Sequence, residues 1–113
     1  MNFCTLIPTY NNGKTLGNII ERTLTVCNDI VVVNDGSTDN TAEILGTFSE
    51  NKNITVVSYP NNKGKGYALR LGLQKARELG FDYSVTVDSD GQHFPEDIPL
   101  LLEAAKNANG SRI

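Results

Sequence analysis

Two carboxylates stand two residues apart late in the chain, directly after a short apolar run. Asp88 and Asp90 follow Val85–Val87. Residues two apart on an extended segment point the same way, so we expect both carboxylates to converge on one point. Hard oxygen ligands suit Mg²⁺ or Mn²⁺ shared with a substrate diphosphate, and Gln92 offers a further, neutral oxygen. The alternative is an acidic turn whose carboxylates only cap a helix beginning near Pro95.

A third carboxylate, Asp35, comes shortly after the β-branched run Val31–Val33 and precedes Gly36. At the carboxyl end of a strand, such a side chain can accept hydrogen bonds from a nucleobase N–H or a ribose hydroxyl. The alternative is an Asx-turn that leads into a helix. We expect residues 37–39 to form that turn, with Glu43 completing a capping box.

A basic, glycine-bearing segment, Asn62–Gly66, includes Lys63 and Lys65. Exposed backbone N–H groups, a helix N-terminus and lysine charge together favour a phosphate. The segment is not a Walker A loop. It is not the dinucleotide-binding glycine pattern either, because Leu69 stands where the third glycine belongs. The alternative is a solvated basic loop with a glycine-mediated turn.

Strand-like and helix-like stretches alternate four times along the chain, and this order positions the polar segments. We predict strands over Phe3–Pro8, Ile30–Asn34, Ile54–Tyr59 and Tyr83–Asp88. Helical apolar faces follow each of them, formed by Leu16, Ile19, Ile20 and Leu24; Ile44, Leu45 and Phe48; Leu69, Leu73 and Ala76; and Ile98, Leu101, Leu102 and Ala105. The alternation predicts an α/β fold, an open and mainly parallel sheet with flanking helices and right-handed crossovers. Ligands of such sheets bind outside the carboxyl ends of the strands, where these polar segments stand.

Composition limits the class of protein. The chain has 113 residues, one domain's worth, and a net charge of −3 with no block of like charges. Nucleic acid and anionic membranes are therefore poor default partners. No apolar run is long enough to span a bilayer, and the N-terminus lacks the pattern of a signal peptide. Cys4 and Cys27 are too few and too far apart for a metal or redox motif, so we expect reduced, apolar thiols in a cytoplasmic protein.

Taken in order, four segments resemble the family 2 glycosyltransferases, whose catalytic domain has the GT-A fold. The resemblance extends from Phe3 to about Ala105. It rests on four segments: Ile7–Asn11, Val31–Asp39, Asn62–Arg70 and Val87–His93. The sequence of the last segment is most similar to the corresponding segment of enzymes that transfer a sugar to a polyprenyl or dolichyl phosphate. The family often has a second acidic residue at the position of Asn34, which leaves Asp35 as the only carboxylate there.

The resemblance implies roles for individual residues. Pro8, Tyr10 and Asp35 would surround the nucleobase, with Asp35 hydrogen-bonding it. Asp88 would face the ribose and the metal shell. Asp90 would bind a divalent cation, Mg²⁺ or Mn²⁺, that bridges the two phosphates, with help from Gln92. A phosphate contact by Lys65 is a physical inference from its charge and its place at a helix start.

The implied reaction moves a sugar from a nucleoside diphosphate sugar to an acceptor hydroxyl or phosphate, and no residue identifies itself as the general base. We expect residues 1–113 to be the nucleotide-sugar-binding part of a catalytic domain truncated at its C-terminus. We therefore expect self-association or marginal stability, and membrane contact only through a lipid acceptor or sequence outside the chain. One rival is a nucleotidyltransferase, disfavoured because Thr9–Gly13 is not a glycine- and arginine-rich phosphate turn. The other is a non-catalytic nucleotide-sugar-binding or interaction module.

Overall fold

The computed structural model of the protein describes residues 2–90 and 98–99. Over residues 2–90, four strands alternate with three helices: β1 (Phe3–Thr9), α1 (Gly13–Leu24), β2 (Ile30–Asp35), α2 (Thr41–Gly46), β3 (Ile54–Tyr59), α3 (Lys65–Glu78) and β4 (Tyr83–Thr86). The predicted alternation is confirmed. The predicted fourth strand was too long, because β4 ends at Thr86 rather than Asp88. Of the predicted fourth helix, only Ile98 and Pro99 lie within the described residues, and both are helical.

The strands form one parallel sheet in the order β3-β2-β1-β4. The two central strands are buried on both faces, and Val31–Val33 is fully enclosed, as its continuous β-branched run predicts. Along the chain, β2 and β3 are added on one side of β1, and β4 is then added on the other side of β1. Since crossovers keep one hand, this reversal puts α3 on the opposite face of the sheet from α1 and α2. The predicted open, parallel α/β sheet with flanking helices is thus the observed fold.

Each face of the sheet has its own apolar core. On one face, Ile7 and Val32 pack with the buried side of α1, and Leu45 of α2 and Ile98 join them. On the other face, Leu6, Val31 and Val33 pack against Ala68 and Ala76 of α3. Alternate residues of each strand therefore serve opposite cores, as the two-residue period of a strand requires.

The predicted apolar face of α3 was wrong in one position. Leu73 is 38% exposed, and the buried positions are Ala68, Gly72 and Ala76, with Leu69 packed beside them. A Cβ on Gly72 would lie 2.2 Å from Leu6 Cδ1, so this helix approaches β1 with its backbone. A stripe of small residues permits that approach, and the packed face is turned away from Leu73 as a result.

The start of α2 also differs from the prediction. Its N-cap is Asn40, which makes no side-chain capping bond, so the predicted capping box with Glu43 does not form. Asp39 acts instead: its Oδ1 accepts hydrogen bonds from the backbone N–H (2.9 Å) and the hydroxyl of Thr41. These bonds lower the pKa of the Asp39 carboxyl, the Thr41 hydroxyl contributing most.

Both cysteines are free and buried, as predicted. Burial, reinforced by Cys27 and Asp29, raises the pKa of the Cys4 thiol to about 12. This thiol is therefore protonated at neutral pH, in the environment of a packing residue rather than of a nucleophile. Among the described helices, none has the length and apolarity needed to cross a membrane.

Candidate functional site

A cavity of about 290 Å³ opens at the carboxyl ends of the strands. It lies where the strand order reverses between β1 and β4, the position at which open α/β sheets bind ligands. Its walls come from the ends of β1 and β2, the loop before α3 and the turn after β4. The lining residues are Pro8, Thr9, Tyr10, Asn12, Asp35, Asn62, Gly64, Lys65, Ala68, Asp88, Ser89 and Asp90.

The cavity brings together six of the seven residues predicted for the site. Pro8 and Tyr10 border it at the end of β1, and Tyr10 is 46% exposed. Asp35 borders it from β2, Lys65 from the start of α3, and Asp88 and Asp90 from the turn after β4. The seventh predicted residue, Gln92, lies outside the described residues.

The acidic turn reaches the cavity by a route other than the predicted one. Because β4 ends at Thr86 and Ser89–Asp90 lie in a turn, the two carboxylates do not extend from one continuous strand. The predicted geometry of neighbouring extended positions was therefore wrong. Asp88 and Asp90 nevertheless line the same cavity, because the turn folds over the end of β1.

Ser89, which sequence reasoning did not single out, fixes this turn. Its side chain is buried, donates a hydrogen bond to the Pro8 carbonyl (3.2 Å) and accepts one from Asn12 Nδ2 (2.9 Å). The Ser89 carbonyl also accepts a hydrogen bond from the Thr15 hydroxyl. The residue between the two aspartates is thus held against β1 and the start of α1. The only signal in the sequence was its position between two carboxylates.

Lys65 and Asp88 form an ion pair across the cavity, with Lys65 Nζ 2.8 Å from Asp88 Oδ1. Lys65 is the first residue of α3, so its ammonium lies beside the positive end of the helix dipole. The lysine side chain is 60% exposed and the aspartate side chain 27% exposed. Solvent therefore reaches this pair, and such pairs hold together weakly.

Asp35 has a very different environment. It is only 3% exposed, and its carboxylate accepts four hydrogen bonds from the last residue of β3 and from the loop between β3 and α3. Oδ1 accepts from the Tyr59 hydroxyl (2.7 Å) and the Lys63 N–H (2.8 Å). Oδ2 accepts from Asn62 Nδ2 (2.9 Å) and the Gly64 N–H (3.1 Å). The predicted contact between Asp35 and a nucleobase stays a prediction.

Tyr59 is a second residue that sequence reasoning missed. Burial raises the pKa of its phenol, and the Asp35 carboxylate adds to the rise, so the hydroxyl stays protonated and donates. The Tyr59 ring also meets the Tyr67 ring edge-on at 5.3 Å between centroids. The pairing joins the end of β3 to the first turn of α3. The contact of Tyr59 with Asp35 spans 24 residues, so local sequence pattern did not indicate it.

The loop after β1 is tied to the turn after β2. Asn11, whose φ is 53°, accepts a hydrogen bond from the Thr38 N–H through its Oδ1 (2.7 Å). In return, the Asn11 N–H donates to Ser37 Oγ (3.0 Å), and the Gly13 N–H donates to Asp39 Oδ2 (3.0 Å). The residues predicted as a structural turn therefore hold the loop after β1, which borders the cavity through Tyr10 and Asn12.

The donor chemistry of the cavity fits a divalent cation that is shared with a ligand. Among the described residues, no three acidic, histidine or cysteine side chains cluster as a protein-only metal cage. Asp88 and Asp90 supply hard oxygens, and Asp88 already accepts a cationic group, the Lys65 ammonium. Mg²⁺ is commonly held by one or two carboxylates plus substrate phosphates, and two aspartates at a cavity wall match that pattern.

The chain is similar in sequence to curated sugar transferases. A UDP-N-acetylglucosamine–dolichyl-phosphate N-acetylglucosaminyltransferase of Methanococcus voltae is 36% identical over 96% of this chain and 51% of its own length. Other curated relatives are undecaprenyl-phosphate sugar transferases. The chain spans between about a third and a half of the length of these relatives.

Solved structures share the fold. S. aureus TarS 1–349 in complex with UDP-GlcNAc superposes with a TM-score of 0.75 at 25% identity, over 96% of this chain and 32% of the TarS 1–349 chain. Glucosyl-3-phosphoglycerate synthase from Mycobacterium tuberculosis, solved with Mn²⁺, UDP and glucosyl-3-phosphoglycerate, superposes with a TM-score of 0.70. It is 24% identical, over 90% of this chain and 38% of the synthase, a likeness that shows the fold. The family model described as "Glycosyl transferase family 2" matches residues 4–111, and the chain belongs to that family.

Proposed function

We propose that the protein containing this chain transfers a sugar from a nucleoside diphosphate sugar to a polyprenyl phosphate, with Mg²⁺ or Mn²⁺ bound at the cavity. The observation that supports this most is the cavity itself, in which a lysine at a helix start and two aspartates border one opening. The relatives named for dolichyl- and undecaprenyl-phosphate support the acceptor class.

In this proposal the donor lies along the cavity from β1 and β2 towards the turn after β4. The nucleobase packs against Pro8 and the exposed ring of Tyr10, beside Asp35. The diphosphate lies near Lys65 and the N-terminus of α3, where charge and helix dipole both favour an anion. Asp88 and Asp90, with Gln92 as a further ligand, hold the cation. That ion would neutralise negative charge that grows on the departing diphosphate.

The reaction balances simply with a phosphate acceptor. An acceptor oxygen forms a bond to the anomeric carbon, while the bond from that carbon to the diphosphate breaks and its electron pair leaves with the nucleoside diphosphate. A phosphate monoester is already largely anionic at neutral pH, since its second pKa is about 6. Lys65 would stabilise the leaving diphosphate electrostatically. Such an acceptor reduces the need for a general base, which the described residues do not identify.

The test is a transfer assay with the full-length gene product. Radiolabelled UDP-N-acetylglucosamine and GDP-mannose are each incubated with undecaprenyl and dolichyl phosphate in detergent. We expect label to enter the lipid-soluble fraction with one donor, and chelation of divalent cations to abolish it. Donor binding with no transfer to any lipid phosphate would contradict the proposal and favour a non-catalytic binding module.

A further inference from the structure

The acidic turn that follows β4 lies against the end of β1 and the start of α1. β4 ends at Thr86, and the Val87 N–H still donates to the Leu6 carbonyl of β1 at 3.0 Å. The chain then leaves the sheet and turns at Ser89 and Asp90. Contacts with the residues that follow β1 hold it from that point onward.

These contacts meet at Ser89, of which only 2% is exposed. Its hydroxyl donates to the Pro8 carbonyl (3.2 Å) and accepts from Asn12 Nδ2 (2.9 Å). Its carbonyl accepts a hydrogen bond from the Thr15 hydroxyl. Because both the side chain and the backbone of Ser89 are bonded to neighbouring elements, the conformation of the turn is determined at this residue.

The bond from Thr15 acts on the backbone of Asp90. The Ser89 carbonyl belongs to the peptide unit that leads into Asp90, and a peptide unit is planar. A hydrogen bond that fixes this carbonyl therefore also fixes the direction in which the chain enters Asp90. The bonds of the Ser89 hydroxyl fix the other side of the residue, where the chain arrives from Asp88. Both carboxylates thus extend from a backbone that Thr15 and Ser89 hold.

Thr15 itself stands on a well-anchored element. It lies in the first turn of α1, whose buried side packs into the core through Leu16, Ile19 and Ile20. Its N–H and its hydroxyl contact the Asn12 carbonyl at 3.0 and 3.3 Å. In the described part of the chain, Thr15 is not among the residues that line the cavity. Any effect of Thr15 on a ligand must therefore act through the turn.

We infer that Thr15, acting through Ser89, is a positioning residue for the divalent cation that Asp88 and Asp90 hold. A metal ion binds more tightly to ligands that are already in place, because they do not have to be ordered on binding. The inference rests on the proposed function, because it takes the acidic turn as the metal site. It gives Thr15 a role in metal binding without contact with the metal ion or the nucleotide.

The test is calorimetric titration of the full-length gene product with UDP and GDP, each with and without Mn²⁺. Thr15→Val removes the hydroxyl and keeps the branched shape of the side chain. We expect the enhancement of nucleotide affinity by Mn²⁺ to fall about three- to tenfold, the effect of one neutral hydrogen bond, while the affinity without Mn²⁺ stays that of the parent. Ser89→Ala should lower the enhancement in the same way. Thr15→Ser retains the hydroxyl and should keep the parental enhancement.

The matched control is Thr23→Val in the same helix. The Thr23 hydroxyl donates to the Ile19 carbonyl at 2.7 Å, and Thr23 is not a lining residue of the cavity. This variant also loses a threonine hydroxyl that is bonded to a backbone carbonyl. It should therefore lower the free energy of unfolding, measured by urea denaturation, and leave the Mn²⁺ enhancement unchanged.

Each other outcome overturns the inference. An unchanged enhancement in a folded Thr15→Val protein would make the contact with Ser89 purely structural. An equal loss of enhancement in Thr23→Val would assign the effect to a weakened α1. Equal weakening with and without Mn²⁺ would place the effect on the nucleotide rather than on the metal ion. A parent protein whose nucleotide affinity does not respond to Mn²⁺ would contradict the metal site of the proposed function itself. If Thr15→Val fails to fold, Ser89→Ala decides the question.

Discussion

Two aspartates on the wall of one cavity illustrate how environment divides similar side chains. Asp35 is 3% exposed and accepts four hydrogen bonds from protein donors. Asp88, with a side chain 27% exposed, forms an ion pair with a lysine whose own side chain is 60% exposed. A carboxylate surrounded by fixed donors belongs to the framework of the site. One that faces solvent and an exposed ammonium can change its partner more easily, as the proposed metal site requires.

Removing the charge of Asp35 should lower the free energy of unfolding much more than removing the charge of Asp88. Asp35→Asn places an amide N–H₂ among the donors of Tyr59, Lys63 and Gly64, so buried groups lose their acceptor. We expect a loss of about 3 kcal/mol in the free energy of unfolding. Asp88→Asn breaks only a solvent-exposed ion pair with Lys65 and should cost at most about 1 kcal/mol. Urea denaturation of both variants measures the difference. Equal losses would contradict the division between framework and ligand carboxylates.

Removal of the Lys65 ammonium, which is paired with Asp88, should raise the affinity for a metal ion and lower the affinity for a nucleotide. Lys65→Met removes the ammonium that competes with a metal ion, so Mn²⁺ alone should bind about threefold more tightly, the typical strength of an exposed ion pair. The same change removes a cation from the diphosphate site, so a nucleoside diphosphate should bind more weakly with Mn²⁺ present. Electron paramagnetic resonance of free Mn²⁺ and calorimetry measure the two affinities.

Lys63→Met provides the matched control. Lys63 stands two residues before Lys65, in the loop between β3 and α3, with its ammonium 6.0 Å from the Tyr67 ring centroid, and it is not a lining residue of the cavity. Mn²⁺ affinity should not change in this variant. If Lys65→Met weakened Mn²⁺ and nucleotide binding together, Lys65 would not compete for the metal site.

The framework of the fold could be predicted because it depends on local pattern. The run Val31–Val33 indicated a strand buried on both faces, and that is where β2 lies. The pattern failed where small residues decide the packing: Gly72 brings α3 onto Leu6, and Leu73 turns outward. The spacing of apolar residues does not indicate how closely two backbones approach each other.

The site was predictable as a set of segments and less so as a set of contacts. Asp35, Lys65 and Asp88 stand in segments at or after the ends of predicted strands. Because parallel strands end at the same edge of the sheet, the sequence predicted that these residues lie close together, and all three line one cavity. The partners of Asp35 were not predictable, since Tyr59 lies 24 residues away and only the register of β2 with β3 brings it close. Whether a carboxylate is open to ligand depends on such long-range donors.

The metal-assisted nucleotide site is tested most directly by calorimetric titration of the full-length gene product with UDP and GDP, with and without Mn²⁺. We expect one nucleotide to bind at least about tenfold more tightly with Mn²⁺, the effect of a metal shared between the diphosphate and the acidic turn. Asp90→Asn should remove that enhancement and leave the fold intact, because Asp90 is an exposed turn residue. Equal affinity in the presence and absence of Mn²⁺ would contradict the metal-assisted nucleotide site.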